Sequence, residues 1–141
     1  MNPTRLPFLL CLAALLGPAP GCDSNPNRVP RTTQTVTLSP ERAAQSVTIP
    51  LVSAIRVILP GPEPWTNLAW VIGSNNTRVL EQMGPLKVVP AAAAPGSAQA
   101  TAASFYALKP GRSVLRFFLV RPNESEAVPA ASCTLTVVVE E

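Results

Sequence analysis

Runs in which apolar and polar side chains alternate dominate the chain after its first thirty residues. In residues 113–121 and 132–140 the apolar side chains recur at every second position, which is typical of half-buried β-strands. Shorter runs of the same kind occupy residues 33–38, 46–51, 54–59, 68–72, 77–81, 86–89 and 103–108. This pattern predicts an all-β protein.

Turn-forming residues separate these runs. The chain holds 17 prolines, and clusters such as residues 60–64, Gly84-Pro85 and 109–111 lie between the strand candidates, which argues against a helical bundle. Residues 90–103 are rich in alanine, are interrupted by Pro95-Gly96 and lack large apolar residues, so we expect a loop there rather than a short helix. About seven short strands separated by turns predict an immunoglobulin-like antiparallel β-sandwich over residues 32–141.

The phase of the alternation predicts the core. Trp70 lies inside a middle strand, and a tryptophan in that position commonly fills the space between two sheets. We expect Trp70 to be buried together with four side chains from the two longest runs, Leu115, Phe117, Leu135 and Val137. The alternate positions of those runs predict the outward-facing residues Arg116, Thr134 and Thr136.

The N-terminus has the organisation of a secretory signal. Arg5 precedes an uncharged apolar run at residues 6–16, and small residues follow directly before Cys22. This order resembles the lipobox of bacterial lipoproteins, so we expect a signal peptide at 1–21, a lipid on Cys22, a flexible tether at 22–31, and a location in the cell envelope facing the periplasm or the outside. Ordinary secretion and an uncleaved N-terminal helix are the alternatives.

The types of charged residue exclude several classes of function. The chain contains no histidine, which removes the commonest general acid–base residue and the commonest metal ligand. The eight carboxylates are scattered mostly through predicted loops and chain ends. We therefore expect no enzyme activity, no metal, no cofactor and no small-molecule substrate. The 11 lysines and arginines form no cluster, so we expect no nucleic-acid partner.

Cys133 lies in phase with the apolar residues of its run. We expect it to be a small buried side chain, since no neighbouring cation in the sequence would activate its thiol. A disulfide between Cys22 and Cys133 would be the outcome if Cys22 carried no lipid.

The second half of the chain resembles a known family. Residues 105–115 form a strand, a turn and a strand typical of bacterial immunoglobulin-like domains, and the second strand continues into Arg121-Pro122. This ending resembles the chagasin-type inhibitors of papain-like cysteine proteases, in which an Arg-Pro-aromatic loop precedes the last strand. Upstream, residues 55–59, a proline-rich loop and Trp70 resemble that family's strand, Asn-Pro-Thr-Thr-Gly-aromatic loop and Trp-bearing strand. The resemblance spans residues 46–141.

The resemblance implies a protein partner, with a papain-like cysteine protease as the expected one, met by three loops at one end of the sandwich. Residues 60–67, 90–103 and 121–128 would gather there, and residues 109–111 would lie at the opposite end. The implied partner-binding residues are Pro62, Pro64, Trp65, Thr66, Asn67, Arg121 and Pro122. The first loop does not keep the family's motif order, and Asn123 replaces an aromatic residue. A structural or adhesion-type immunoglobulin-like lipoprotein without protease inhibition is therefore the alternative function.

Overall fold

The computed structural model describes residues 28–42, 44–63, 65–90, 99–123 and 128–141. Within these ranges every regular element is a β-strand. The nine strands are β1 (Thr33–Thr37), β2 (Gln45–Pro50), β3 (Ala54–Pro60), β4 (Ala69–Ser74), β5 (Leu80–Gln82), β6 (Lys87–Pro90), β7 (Gln99–Ala107), β8 (Gly111–Val120) and β9 (Ala131–Glu140). The all-β prediction is confirmed.

The strands form two sheets that pack face to face. The first sheet has the order β1-β3-β7-β5, with β6 also paired to β7, and the second has the order β2-β9-β8-β4. The predicted immunoglobulin-like sandwich is thus confirmed, but both sheets are mixed. Strand β1 runs parallel to β3, and β2 runs parallel to β9, whereas the other pairs are antiparallel. Side chains alternate with the same period in both kinds of pair, so the alternating pattern did not reveal the parallel edges.

Strand β7 begins earlier than the sequence pattern predicts. Residues 99–103, assigned to a loop, belong to this strand and pair with both β3 and β6. Ala100, Ala102 and Ala103 are all buried, since Ala103 faces the core and Ala100 and Ala102 pack with Ile58 and Val89 on the other face of the sheet. Alanine has a low strand propensity and gives no alternation, which explains why the strand was taken for a loop. Residues 91–98 of the predicted loop lie outside the described residues.

The core lies between the sheets as the phase of the pattern predicts. Trp70, Leu115, Phe117, Leu135 and Val137 are all buried. The ring of Phe105 from the first sheet meets the edge of Phe117 from the second, with 6.3 Å between centroids and 64° between ring planes. Arg116 is exposed, and Thr134 and Thr136 are half-buried on the outer face of the second sheet.

The first described residues contact the sandwich. The Arg28 guanidinium lies 5.4 Å from the centroid of the Tyr106 ring, and its Nε is 3.5 Å from a carboxylate oxygen of Glu81. The Arg31 amide donates a hydrogen bond to the Val52 carbonyl at 2.9 Å. Residues 28–31 of the predicted tether therefore lie on the domain. The predicted signal peptide and Cys22 fall outside the described residues, and no helix of the described ranges is long and apolar enough to cross a membrane.

Candidate functional site

The described ends of three loops meet at one end of the sandwich, which we call the loop end. Strand β3 finishes at Pro60 opposite Ala100, near the start of β7. Strand β6 finishes at Pro90 opposite Gln99, so the segment between β6 and β7 leaves and returns at the same end. Strand β4 starts at Ala69 opposite Val120, the last residue of β8. The described strand ends that flank the three predicted loops (60–67, 90–103 and 121–128) thus lie at the loop end, as the resemblance implies.

Residues 109–111 lie at the opposite end, which we call the turn end. Gly111 pairs with Val139 near the end of β9, and the Leu108 amide donates to the Val79 carbonyl at 2.8 Å. Strand β3 begins at this end, where Ala54 pairs with Tyr106. Residues 109–111 are therefore separated from the described ends of the three loops, as predicted.

Hydrogen bonds hold the base of loop 61–68 against the first sheet. The Gly61 amide donates to the Gln99 carbonyl at 2.9 Å, and the Gly61 carbonyl accepts from the Thr101 hydroxyl at 2.9 Å. Trp70 donates from its indole Nε1 to the Pro60 carbonyl at 3.0 Å. Gly61 has a φ of 61°, a left-handed conformation that glycine adopts without steric cost. These contacts fix the point from which the loop departs.

Trp65 projects from this loop into solvent, with 75% of its surface exposed. It borders an open depression of about 440 Å³ together with Thr66, Asn67, Leu68 and Arg121. The structure thus brings four of the sequence-predicted residues together, three from the first loop and one from the loop after β8.

The remaining predicted residues surround this group. Thr66 is held locally, since both its amide and its hydroxyl donate to the Glu63 carbonyl, at 3.0 and 2.7 Å. Pro62 is half-buried and Pro122 is exposed. Pro64 lies outside the described residues.

The sequence places Val128 at the end of the third predicted loop, but Val128 was not among the predicted partner-binding residues. Val128 lies between β8 and β9 and is 91% exposed, the largest fraction among the large apolar residues that are described. Its signal in the sequence was an isolated valine outside the alternating run of β9. Leu68, which was assigned to a strand, lines the depression instead and precedes β4.

The described residues hold no group of histidine, cysteine or carboxylate side chains that could ligate a metal ion. Cys133 is buried as predicted and forms no disulfide with any described residue, and desolvation by burial raises its pKa from 9.0 to about 11. The alternative disulfide with Cys22 lies outside the described residues. A thiol held in its protonated form is a poor nucleophile, so Cys133 acts as an apolar core residue.

Comparison with known proteins identifies the fold. No family model matches the chain, and no curated protein matches its sequence. Among solved structures, the cysteine protease inhibitor EhICP2 from Entamoeba histolytica superposes with a TM-score of 0.61 at 20% identity, covering 77% of this chain and 96% of the inhibitor. The chain has the chagasin-type inhibitor fold.

Two further structures agree with this assignment. Amebosin matches with a TM-score of 0.55 at 22% identity over 79% of this chain and all of amebosin. PbICP-C, solved in complex with falcipain-2, matches with a TM-score of 0.52 at 12% identity over 76% of this chain and 99% of PbICP-C. The fold that the sequence resemblance implied is confirmed.

Proposed function

We propose that this protein is a membrane-anchored, extracytoplasmic binding module that inhibits papain-like cysteine proteases through its loop end. The observation that carries the proposal is the exposed Trp65 beside Arg121, at the end where three loops meet. This arrangement belongs to a domain that shares its fold with EhICP2 and with PbICP-C.

Trp65 supplies the apolar contact of the proposed interface. A tryptophan side chain buries about 150–250 Å² when it is fully covered, and apolar area contributes roughly 25 cal/mol per Å². Covering the three-quarters of Trp65 that is now exposed would contribute about 3–5 kcal/mol before entropic costs. Val128, exposed in the third loop, would enlarge the same apolar contact.

The fixed base of the first loop lowers the entropic cost of binding. The hydrogen bonds from Trp70, Thr101 and Gly61 place the start of the loop before a partner arrives. Each side chain or loop residue that is already ordered in the free protein saves part of the ordering cost of the complex. Pro62, within the loop, restricts its backbone further.

Arg121 supplies the polar contact. Arg121 borders the depression that Trp65 also lines, and it is exposed. We propose that it pairs with a carboxylate at the rim of the protease cleft, with Pro122 and Asn67 beside it. A rim charge mainly accelerates association and makes it salt-dependent.

The proposed anchor is the lipid on Cys22. Residues 28–31 lie on the turn end, so a chain entering from Cys22 reaches the domain on the side opposite Trp65. Anchoring there would direct the loop end away from the membrane. We expect Cys22→Ser to release the protein from membranes or to block processing, whereas a processed Cys22→Ser protein that stays membrane-bound would refute the anchor.

Titration of papain tests the inhibitory function. We expect inhibition at sub-micromolar concentration, and we expect Trp65→Ala to weaken it by at least tenfold, a factor that corresponds to about 1.4 kcal/mol. Val29→Ala is the matched control, because Val29 is also strongly exposed but lies at the turn end. Arg121→Gln should slow association, with Arg116→Gln on the outer face of the second sheet as its control.

The absence of any inhibition at high micromolar concentration would refute the proposal. The chain would then be a structural or adhesion-type module that shares only the fold of the inhibitors. The departures of its first and third loops from the family's motifs are the features that favour this second function.

A further inference from the structure

The outer face of the first sheet contains an open depression of about 230 Å³, which is lined by strand residues and by the connection between β5 and β6. The short side chains of Ala102 and Ser104 on β7 form its floor. Longer side chains rise around them from β3, from β6 and from the connection between β5 and β6, namely Arg56, Lys87, Val89, Met83 and Pro85. A central strand with short side chains between neighbours with long ones produces the concavity.

The register of the strands places two cations on opposite sides of this floor. Arg56 on β3 pairs with Ser104, and Lys87 on β6 pairs with Ala102. Adjacent strands lie about 4.8 Å apart, so the backbones of β3 and β6 are separated by about 10 Å across β7. Arginine and lysine side chains are long enough for both charged groups to reach one ligand above the floor.

Neither cation is paired with a carboxylate in the described part of the chain. Glu81 stands on the same face, but its carboxylate faces Arg28 at 3.5 Å. Arg56 is half-buried, so its stem packs against the sheet, and none of the described carboxylates pairs with its guanidinium. The face therefore carries an excess of positive charge around a floor of one apolar and one hydroxyl side chain.

We propose that this depression binds a small oxyanion, a carboxylate or a phosphate group, carried on a short apolar body. Arg56 and Lys87 would bind the oxyanion from two sides, with the Ser104 hydroxyl as a further donor, and Met83, Pro85 and Val89 would cover the apolar body. A water molecule occupies about 30 Å³ in the liquid, so the depression holds a ligand on the order of eight non-hydrogen atoms. This site goes beyond the proposed inhibitory function, since it uses a sheet face and none of the loop-end residues.

Hexanoate, hexanol and inorganic phosphate are suitable probes, and amide chemical shifts of the isotope-labelled protein provide the measurement. We expect hexanoate to cause saturable shifts at Ala102, Ser104 and Lys87. Hexanol, which lacks the charge, should bind at least about fivefold more weakly, a factor consistent with a partly exposed ion pair. Saturable shifts with phosphate alone would support the proposal by showing that the two cations bind an oxyanion without an apolar body. Equal binding of hexanol and hexanoate would overturn the proposal.

Substitutions test the assignment of the two cations. Arg56→Gln and Lys87→Gln should each weaken hexanoate binding by about fivefold, whereas Arg116→Gln on the other sheet should leave it unchanged. Lys87 is exposed, so its substitution remains informative even if Arg56→Gln destabilises the domain. Binding that survives in both variants, or no saturable binding by the unsubstituted protein, would refute the site. Papain inhibition should be the same in all three variants, so this proposal and the inhibitory one fail independently.

Discussion

The two ends of the sandwich differ in how their polar and apolar side chains are arranged. At the turn end, the fully buried Ser113 hydroxyl donates to the Asn75 side-chain oxygen at 2.8 Å and accepts from the Asn76 amide at 2.8 Å. The Asn75 side chain donates onward to the Leu80 carbonyl at 3.1 Å. At the loop end, hydrogen bonds fix the base of the first loop and a local turn at Thr66, and Trp65 and Val128 expose apolar surface.

This difference indicates which residues stabilise the fold and which are available to bind a partner. A buried polar network stabilises a structure when every member has its partner, so the turn end holds the strands in register. Exposed apolar side chains contribute little to folding and gain free energy only when a partner covers them. Substitutions at the turn end should therefore change stability, and those beyond the loop bases should change binding.

The largest expected loss of stability comes from substituting Trp70, which contacts both the core and the base of the first loop. Trp70 is 5% exposed, fills the core and also holds the loop base through its bond to the Pro60 carbonyl. Trp70→Ala should lower the free energy of unfolding by about 3–5 kcal/mol, measured by urea denaturation. Trp70→Phe retains a ring but loses the hydrogen bond, so its cost should be smaller. A loss below about 1 kcal/mol for Trp70→Ala would show that this residue does not fill the core.

A hydroxyl at each end provides the next test. Ser113→Ala leaves the Asn75 oxygen and the Asn76 amide without this partner, and should cost about 1–3 kcal/mol in the free energy of unfolding. Thr66→Ala at the loop end removes an exposed hydrogen bond to the Glu63 carbonyl and should cost less than about 1 kcal/mol. Equal losses of stability in Ser113→Ala and Thr66→Ala, measured by thermal unfolding, would contradict the proposed difference between the two ends.

The sequence predicted the parts of this fold that depend on alternation. Burial of Trp70, Leu115 and Val137 follows directly from the period of two, because a half-buried strand must point every second side chain inward. The start of β7 could not be predicted in this way, since its alanines at 100, 102 and 103 are buried on both faces. The parallel edge strands also left no signal, because pairing direction is decided by how the chain crosses between sheets.

The candidate site was predictable only in its location. Turn-forming residues around Pro62 and after Arg121 placed two loops at strand ends, and the order of strands then brought those loops together. The network of Asn75, Asn76 and Ser113 was not predictable, since each residue alone is ordinary in a turn or a strand. The network forms only because the fold brings together positions that are nearly forty residues apart in the sequence.

A strained residue at the turn end offers a smaller, stabilising test. Val52, between β2 and β3, has a φ of 63°, and its carbonyl accepts from the Arg31 amide. A β-branched residue is unfavourable in this left-handed region, whereas asparagine tolerates it. Val52→Asn should raise the free energy of unfolding by up to about 1 kcal/mol, and Val29→Asn, the control, should not. A loss of stability would mean that packing of the half-buried Val52 side chain outweighs its backbone strain.

Among these substitutions, we expect replacement of Trp65 at the loop end to have the smallest effect on stability. Trp65→Ala removes a side chain that is three-quarters exposed and lies beyond the hydrogen-bonded loop base, so the free energy of unfolding should change by less than about 1 kcal/mol. The same substitution should weaken protease inhibition strongly, because an exposed aromatic anchor contributes to the complex rather than to the fold. Thermal unfolding and papain titration of one preparation measure both quantities. A stability loss close to that of Trp70→Ala would make Trp65 a structural residue, and the proposed interface would then rest on Arg121 and Pro122 alone.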